Sequence, residues 1–307
     1  MILTMRHALA LAVFVATTVN ASAQPRVEKN VLYGMYSGAA MLLDVHYPGK
    51  SNGLGVIFIA GSGWNAALGY AALPLKESPQ VDMYVPSLLQ AGYTVFTLTH
   101  RATPTFRYPA PLEDVQRAVR FIRHNAARFA IDPARLGGMG GSSGAHLVSL
   151  LATLDGAGEA SDPDPVNRQG AKLQCAVARA APTDLTHMNA TLGGPLVSLL
   201  LGARVDDATP KNSIEYKIAS AASPVNYVSA DDPPTLLIHG DADRTVPFHQ
   251  SELLEAALKK VNVPVKLIRI EGADHGPDFP GAKNPPDYKA EMVKWFDTYL
   301  RKGAGSH

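Results

Sequence analysis

Past its first two dozen residues, the chain switches repeatedly between short, nearly unbroken apolar runs and stretches whose apolar positions recur every three or four residues. "LGVIFIAG" (54–61) and "YTVFTLTH" (93–100) are continuous and rich in β-branched side chains, the pattern of strands buried on both faces. "MLLDVHY" (41–47) alternates, as a half-exposed strand does. Four more strands are predicted, in "RLGGMGG" (135–141), "CAVARAAP" (175–182), "PTLLIHG" (234–240) and "VKLIRIEG" (265–272). Helices are predicted in "DMYVPSLLQAG" (82–92), ended by Gly92, in "GAHLVSLLATL" (144–154), and near 249–260 and 286–301. The clearest helix begins at Pro111, a residue suited to a first turn. Its Leu112, Val115, Val119, Ile122 and Ala126 form one apolar stripe, and Glu113 and Asp114 complement the helix dipole at its start. Arg117, Arg120 and Arg123 point elsewhere and are expected to form a solvated face. This alternation predicts an α/β fold with a mostly parallel central sheet and helices on both faces. Two connections are long, 62–80 and about 155–232. The second is expected to hold one strand and a small cap or lid excursion, leaving 24–307 as a single domain.

Composition adds bounds. The 307 residues are 46% hydrophobic and 18% charged, with a net charge of +1 and no block of like charges, so nothing points to nucleic acid or an anionic surface. The start, "MILTMRHALALAVFVATTVNASAQ", has a basic Arg6, an apolar run from Ala8 to Val19 and an Ala21-Ser22-Ala23 end. That is the layout of a cleavable secretory leader over residues 1–23, and it predicts a protein exported to a bacterial periplasm or secreted. The apolar run is short of the roughly 20 residues that span a bilayer, so no integral membrane segment is expected after cleavage. Cys175 is the one cysteine, so no disulfide within the chain is available, and its apolar surroundings predict a buried small hydrophobe.

The chemistry centres on "GGMGGSSGAHL" (137–147). Gly140-Gly141-Ser142-Ser143-Gly144 matches G-x-S-x-G and falls between a predicted strand and a predicted helix, as a nucleophile elbow requires. In so sharp a turn the flanking backbones leave no room for a Cβ, which is the need met by Gly140 and Gly144. Ser142 is the candidate nucleophile, with Ser143 the alternative. A serine needs a base, and the base an orienting acid, in this fold type following in the order Ser, Asp or Glu, His. Strand "PTLLIHG" runs into "DADRTVP", which supplies Asp241 and Asp243, and strand "VKLIRIEG" ends in "ADHG", which supplies His275. All three candidates stand at carboxyl ends of strands, where α/β folds gather their active groups. His146 and His239 are expected to pack beside the site. The loop Ala60-Gly61-Ser62-Gly63-Trp64 is the expected source of oxyanion donors, the amides of Gly61 and Ser62 joining that of Ser143. Trp64, with Tyr70 and Tyr84, is a candidate lining residue for an acyl or aromatic-acid pocket, and core packing accounts for them equally. "DPDP" (162–165) and "DADR" lack convergent His or Cys ligands, so no metal or cofactor is implied.

With these residues in hand, the chain resembles the α/β-hydrolase superfamily, and within it bacterial carboxylesterases of the hormone-sensitive-lipase and feruloyl-esterase-like groups. The resemblance runs through "VIFIAGSGW", "EDVQRAVRFIRHNAARFAIDPARLGGMGGSSGAH", "SPVNYVSADDPPTLLIHGDADRTVP" and "GADHG", covering nearly all of residues 24–307. The family's G-x-x-D-x-x-V-P pattern falls on Gly240, Asp243, Val246 and Pro247, which makes Asp243 the orienting acid and Asp241 the alternative. Where family members commonly carry H-G-G-G-W, this chain has Ala60-Gly61-Ser62-Gly63-Trp64, a departure that bears on substrate preference. The resemblance implies hydrolysis of a small-molecule carboxylic ester, of short-acyl, acetyl or feruloyl type, through an acyl-enzyme. Peptidase, amidase or formamidase chemistry on the same triad is the alternative, and a non-catalytic binding protein on a hydrolase scaffold is the alternative of another class.

Overall fold

The computed structural model describes residues 24–188 and 190–301; the expected leader at 1–23 lies outside the described residues. Eight strands form one sheet: β1 (Arg26–Tyr36), β2 (Ala39–Tyr47), β3 (Gly55–Ile59), β4 (Thr94–Leu98), β5 (Leu136–Gly141), β6 (Cys175–Arg179), β7 (Thr235–Gly240) and β8 (Val265–Ile270). Their spatial order is β1-β2-β4-β3-β5-β6-β7-β8. β1–β2 and β2–β4 pair antiparallel, and every later pair is parallel. The helices are α1 (Gln80–Gln90), α2 (Ala110–His124), α3 (Ala126–Phe129), α4 (Ser143–Thr153), α5 (Gly194–Leu201), α6 (Ile214–Ala221), α7 (His249–Lys260) and α8 (Tyr288–Phe296). No helix among the described residues is long and apolar enough to cross a membrane.

The period of two along each central strand divides the core. On β3, Val56 and Phe58 pack with Tyr84, Val85 and Leu88 of α1 and Met292 and Phe296 of α8. Ile57 and Ile59 face the other way, toward Val115, Val119 and Ile122 of α2 and Leu147, Leu150 and Leu151 of α4. α7 adds Leu254 and Leu258 against Leu237 of β7. Both faces of β3 through β7 are thus covered, which is why those strands read as unbroken apolar runs. Cys175 starts β6 with no exposure, and burial pushes its thiol pKa up.

Three features differ from the sequence expectation. β1 was not foreseen: it is an edge strand whose Val27, Leu32, Met35 and Tyr36 are exposed, so it lacks the buried run that marks its neighbours. Asp114 lies beyond the first turn of α2, unlike Glu113, and is buried against Arg101, which also pairs with Glu113. Removing Arg101 leaves Asp114 buried without a counter-charge, a loss of about 3–5 kcal/mol. The arginines of α2 do not form a solvated face. Arg117 bonds Tyr33 O and Asn167, Arg120 bonds Gln169 O, and Arg123 bonds the carbonyls of Gly170 and Lys172. Together they pin the connection between α4 and β6 back onto the helix. The remainder of the 155–232 excursion, after β6, carries α5 and α6.

Candidate active site

β5 ends at Gly141 and α4 begins at Ser143, so Ser142 alone makes the turn. Its backbone sits at φ 51° and ψ −122°, a region that L residues rarely enter. Two contacts enforce it: the Ser142 amide donates to Arg179 O at 2.8 Å, and Ser142 O accepts from the His146 amide at 3.0 Å. A Cβ at Gly144 would run into the carbonyl of Ile59, and one at Gly140 into the backbone of Gly144. The glycines therefore set how closely helix and strands approach the serine.

The carboxyl ends of β7 and β8 bring Asp243 and His275 to this turn. The Ser142 hydroxyl lies 3.0 Å from His275 Nε2, and His275 Nδ1 lies 2.6 Å from Asp243 Oδ2. Asp243 Oδ1 accepts from the amides of Thr245 and Val246 at 2.9 and 2.8 Å. Burial alone would raise the Asp243 pKa, but hydrogen bonds with His239 and His275 hold it well below the usual carboxylate range. The carboxylate is therefore ionised and fixes Nδ1 as the protonated nitrogen, leaving Nε2 free to accept from the serine. Asp241, the alternative acid, turns away, taking Arg269 and the Gly272 amide as its donors.

The two expected neighbours are buried completely. His239 bridges Ser251 Oγ and Val246 O behind Asp243. His146 accepts from Trp64 Nε1 at 3.1 Å through Nδ1 and donates to Ala222 O at 2.7 Å through Nε2. Desolvation pushes the His146 pKa down to about 4, so the ring is neutral at physiological pH. Of the candidate aromatics, Tyr70 is fully exposed and Tyr84 packs in the core, its hydroxyl donating to Pro277 O. Trp64 is 3% exposed, packed in the core and also beside the serine.

The Gly61–Trp64 loop lies where expected but its amides are engaged differently. A Cβ on Gly61 would come within 2.6 Å of Gly141 O, so the loop presses on the elbow. The Gly61 amide, however, donates to Gln80 Oε1 at 3.1 Å, and Gln80 returns a bond from Nε2 to Gly61 O at 2.8 Å. The Ser62 amide donates to Ser143 Oγ at 2.9 Å. Two of the three expected oxyanion donors thus already have acceptors. These same bonds prop the loop in a chain that has Ala60 in place of a histidine. The Gly63 amide has no acceptor among the described residues, and the Ser143 amide stands in the first turn of α4, where a helix supplies none.

Two concavities meet at Ser142. The larger, about 270 Å³, is lined by His275, Gly276, Pro277, Gln80, Ser62 and Arg179 among others. The smaller, about 20 Å³, is apolar, walled by Trp64, Pro182, Met188, Leu196, Val197 and Val246. Gln80, Arg179 and the α5 residues Leu196 and Val197 were not anticipated. Arg179 alone carried a signal, being the one charge in "CAVARAAP". A larger depression, about 820 Å³, lies between α1 and α8 and holds none of the triad residues. Among the described residues no three His, Cys, Asp or Glu side chains converge as metal ligands would.

The BD-FAE family model matches residues 43–258. This chain belongs to the BD-FAE family. The match includes Ser142 and Asp243 and stops before His275, whose placement rests on the geometry above. Among curated relatives, the chain is similar to esterase LipQ of Mycobacterium tuberculosis, 30% identical over 66% of this chain and 47% of its own length. The carboxylic ester hydrolase LipM of the same organism, so named with the qualifier "probable", is 26% identical over 90% of this chain and 62% of its own length. The chain therefore spans about half to three-fifths of these relatives. Among solved structures, a truncated carbohydrate esterase from gut microbiota is 27% identical with a TM-score of 0.73, covering 92% of this chain and 99% of that one. An acetyl ester-xyloside bifunctional hydrolase from Caldicellulosiruptor lactoaceticus is 26% identical with a TM-score of 0.71, covering 92% and 98%. The sheet order, the helices on both faces and these neighbours make the fold that of the α/β-hydrolases.

Proposed function

We propose that this protein hydrolyses carboxylic esters through an acyl-enzyme on Ser142. The observation that carries the reading is the unbroken relay of Ser142 Oγ, His275 and Asp243, with contacts of 3.0 and 2.6 Å. In the proposed cycle His275 takes the serine proton as Ser142 attacks the carbonyl carbon, while Asp243 stabilises the imidazolium. The amides of Ser143 and Gly63, backed by the N-terminus of α4, receive the developing oxyanion. His275 then protonates the leaving alcohol, and a water repeats the attack on the acyl carbon.

The two concavities support a short acyl group. Leaving oxygen and His275 must meet, so the alcohol occupies the larger cleft, which His275 lines, and the acyl group the apolar slot. A slot of about 20 Å³ has room for one small group such as the methyl of an acetyl. Names of relatives such as the carbohydrate esterase and the acetyl ester-xyloside hydrolase are in keeping with this. Export by the leader is part of the proposal, and cell fractionation of the expressed full chain tests it.

Initial rates on p-nitrophenyl esters from acetate to laurate, with Ser142→Ala alongside, are the deciding experiment. Turnover highest at acetate and lost in the variant is the expected result. No turnover on any ester would refute ester hydrolysis and shift the weight to amides.

A further inference from the structure

Three cations are buried among the described residues, and one is treated unlike the others. Lys76 sits between Asp44 and Glu77, at 2.9 Å from each. Arg101 sits between Asp114 and Glu113, at 2.9 and 2.7 Å. Arg179 is 2% exposed, yet no carboxylate among the described residues comes within the 4.0 Å of an ion pair. Its Nη1 donates to Gly276 O at 2.6 Å, its guanidinium lies 5.4 Å from the centroid of the Phe279 ring, and its Nε is buried with no acceptor. A buried charge without a counter-charge is among the least favourable arrangements in a protein interior, and the fold maintains this one.

Its place supplies the second observation. Arg179 ends β6 directly opposite Gly141 in the sheet register, and a Cβ on Gly141 would collide with Nη2. The guanidinium therefore lies one residue from the nucleophile and lines the 270 Å³ cleft together with Ser142 and His275. It takes no part in the smaller slot. Ser62 Oγ, also buried without a partner, lines the same cleft. This side of the serine thus offers unused hydrogen-bond capacity and a positive charge with no ion-pair partner among the described residues.

We propose that Arg179 is a specificity-determining anchor for a carboxylate carried by the alcohol half of the ester. The preferred substrates are then acyl esters of hydroxy carboxylic acids, acidic sugars included. The assignment to the alcohol half rests on the ester-hydrolase reading, because it is the leaving oxygen that must reach His275. A planar guanidinium with free N–H groups matches a carboxylate in both charge and geometry. Arg179 also steadies the His275 loop through Gly276 O, so its replacement lowers turnover of every ester, and the informative quantity is a ratio.

The test compares kcat/KM for 3- and 4-acetoxybenzoate with that for the neutral 3- and 4-acetoxybenzamides, using wild type, Arg179→Gln and Arg179→Lys. A charge-assisted bond predicts that wild type favours the carboxylate in at least one isomer by about tenfold or more. Arg179→Gln brings that ratio close to one, whatever its absolute losses, and Arg179→Lys retains part of it. A wild-type ratio near one, or a ratio unchanged in Arg179→Gln, would overturn the proposal and leave ester hydrolysis standing. Calorimetric binding of 3- and 4-hydroxybenzoate against the hydroxybenzamides to wild type decides the point without turnover or a folded variant. Selective carboxylate binding with no ester hydrolysed would uphold the anchor while removing the ester-hydrolase reading. Equal affinities would overturn the anchor.

Discussion

Lowering the pH from 7 to 4 forces a proton toward His146, and the structure sets what that costs. The ring is fully buried and takes its hydrogen bonds in the neutral form, from Trp64 Nε1 and to Ala222 O. Its folded pKa is pushed down to about 4 from an ordinary value of 6.5. Between those values the unfolded chain binds a proton that the folded chain refuses, so stability is fully present above pH 6.5 and declines as pH falls toward 4. The difference between those two values corresponds to about 3 kcal/mol, most of it already lost at pH 4. Urea unfolding at pH 7 and pH 4, for wild type and His146→Gln, isolates the effect. Glutamine preserves one acceptor and one donor and does not titrate. Wild type is expected to lose about 3 kcal/mol more than the variant between the two pH values. Equal losses in both proteins would refute the burial argument.

Three further outcomes follow from the site. Asp243→Asn is expected to reduce kcat by about 10⁴-fold, since an amide cannot hold His275 in the required tautomer. Asp241→Asn, which removes a surface pair with Arg269, changes kcat less than about threefold; comparable losses in the two variants would reverse the choice of acid. Gly144→Ala places a methyl group against the Ile59 carbonyl and is expected to destabilise by about 3 kcal/mol, read as a lowered urea midpoint. An unshifted midpoint would show that the elbow has slack.

The parallel part of the sheet was legible because burial on both faces leaves unbroken apolar runs, as in Val56–Ile59 and Leu236–Ile238. β1 was not, because an edge strand with one wet face carries Glu28, Lys29 and Asn30 and looks like loop. The triad candidates were readable as serine, acid and histidine at successive strand ends, since topology fixes where those ends gather. The position of the Gly61–Trp64 loop beside Ser142 was readable, but not its hydrogen bonds. Whether the Gly61 amide is free depends on Gln80, 19 residues away, and composition does not reveal that pairing. The α2 arginines misled for a related reason: their carbonyl partners come from a connection that sequence treats as irregular. Arg179 stood in plain view as a charge inside a strand, but only the absence of an ion-pairing carboxylate among the described residues gives it meaning.

The backbone at Ser142 sets stability and activity in opposition. A non-glycine residue held at φ 51° stores about 1–3 kcal/mol of strain, which the surrounding strands and helix sustain. Glycine would relax that turn, so the sturdiest version of this chain is one without its proposed nucleophile. Laboratory evolution selecting for heat resistance alone would drift toward inert descendants, and only a simultaneous demand for turnover would hold the serine in place.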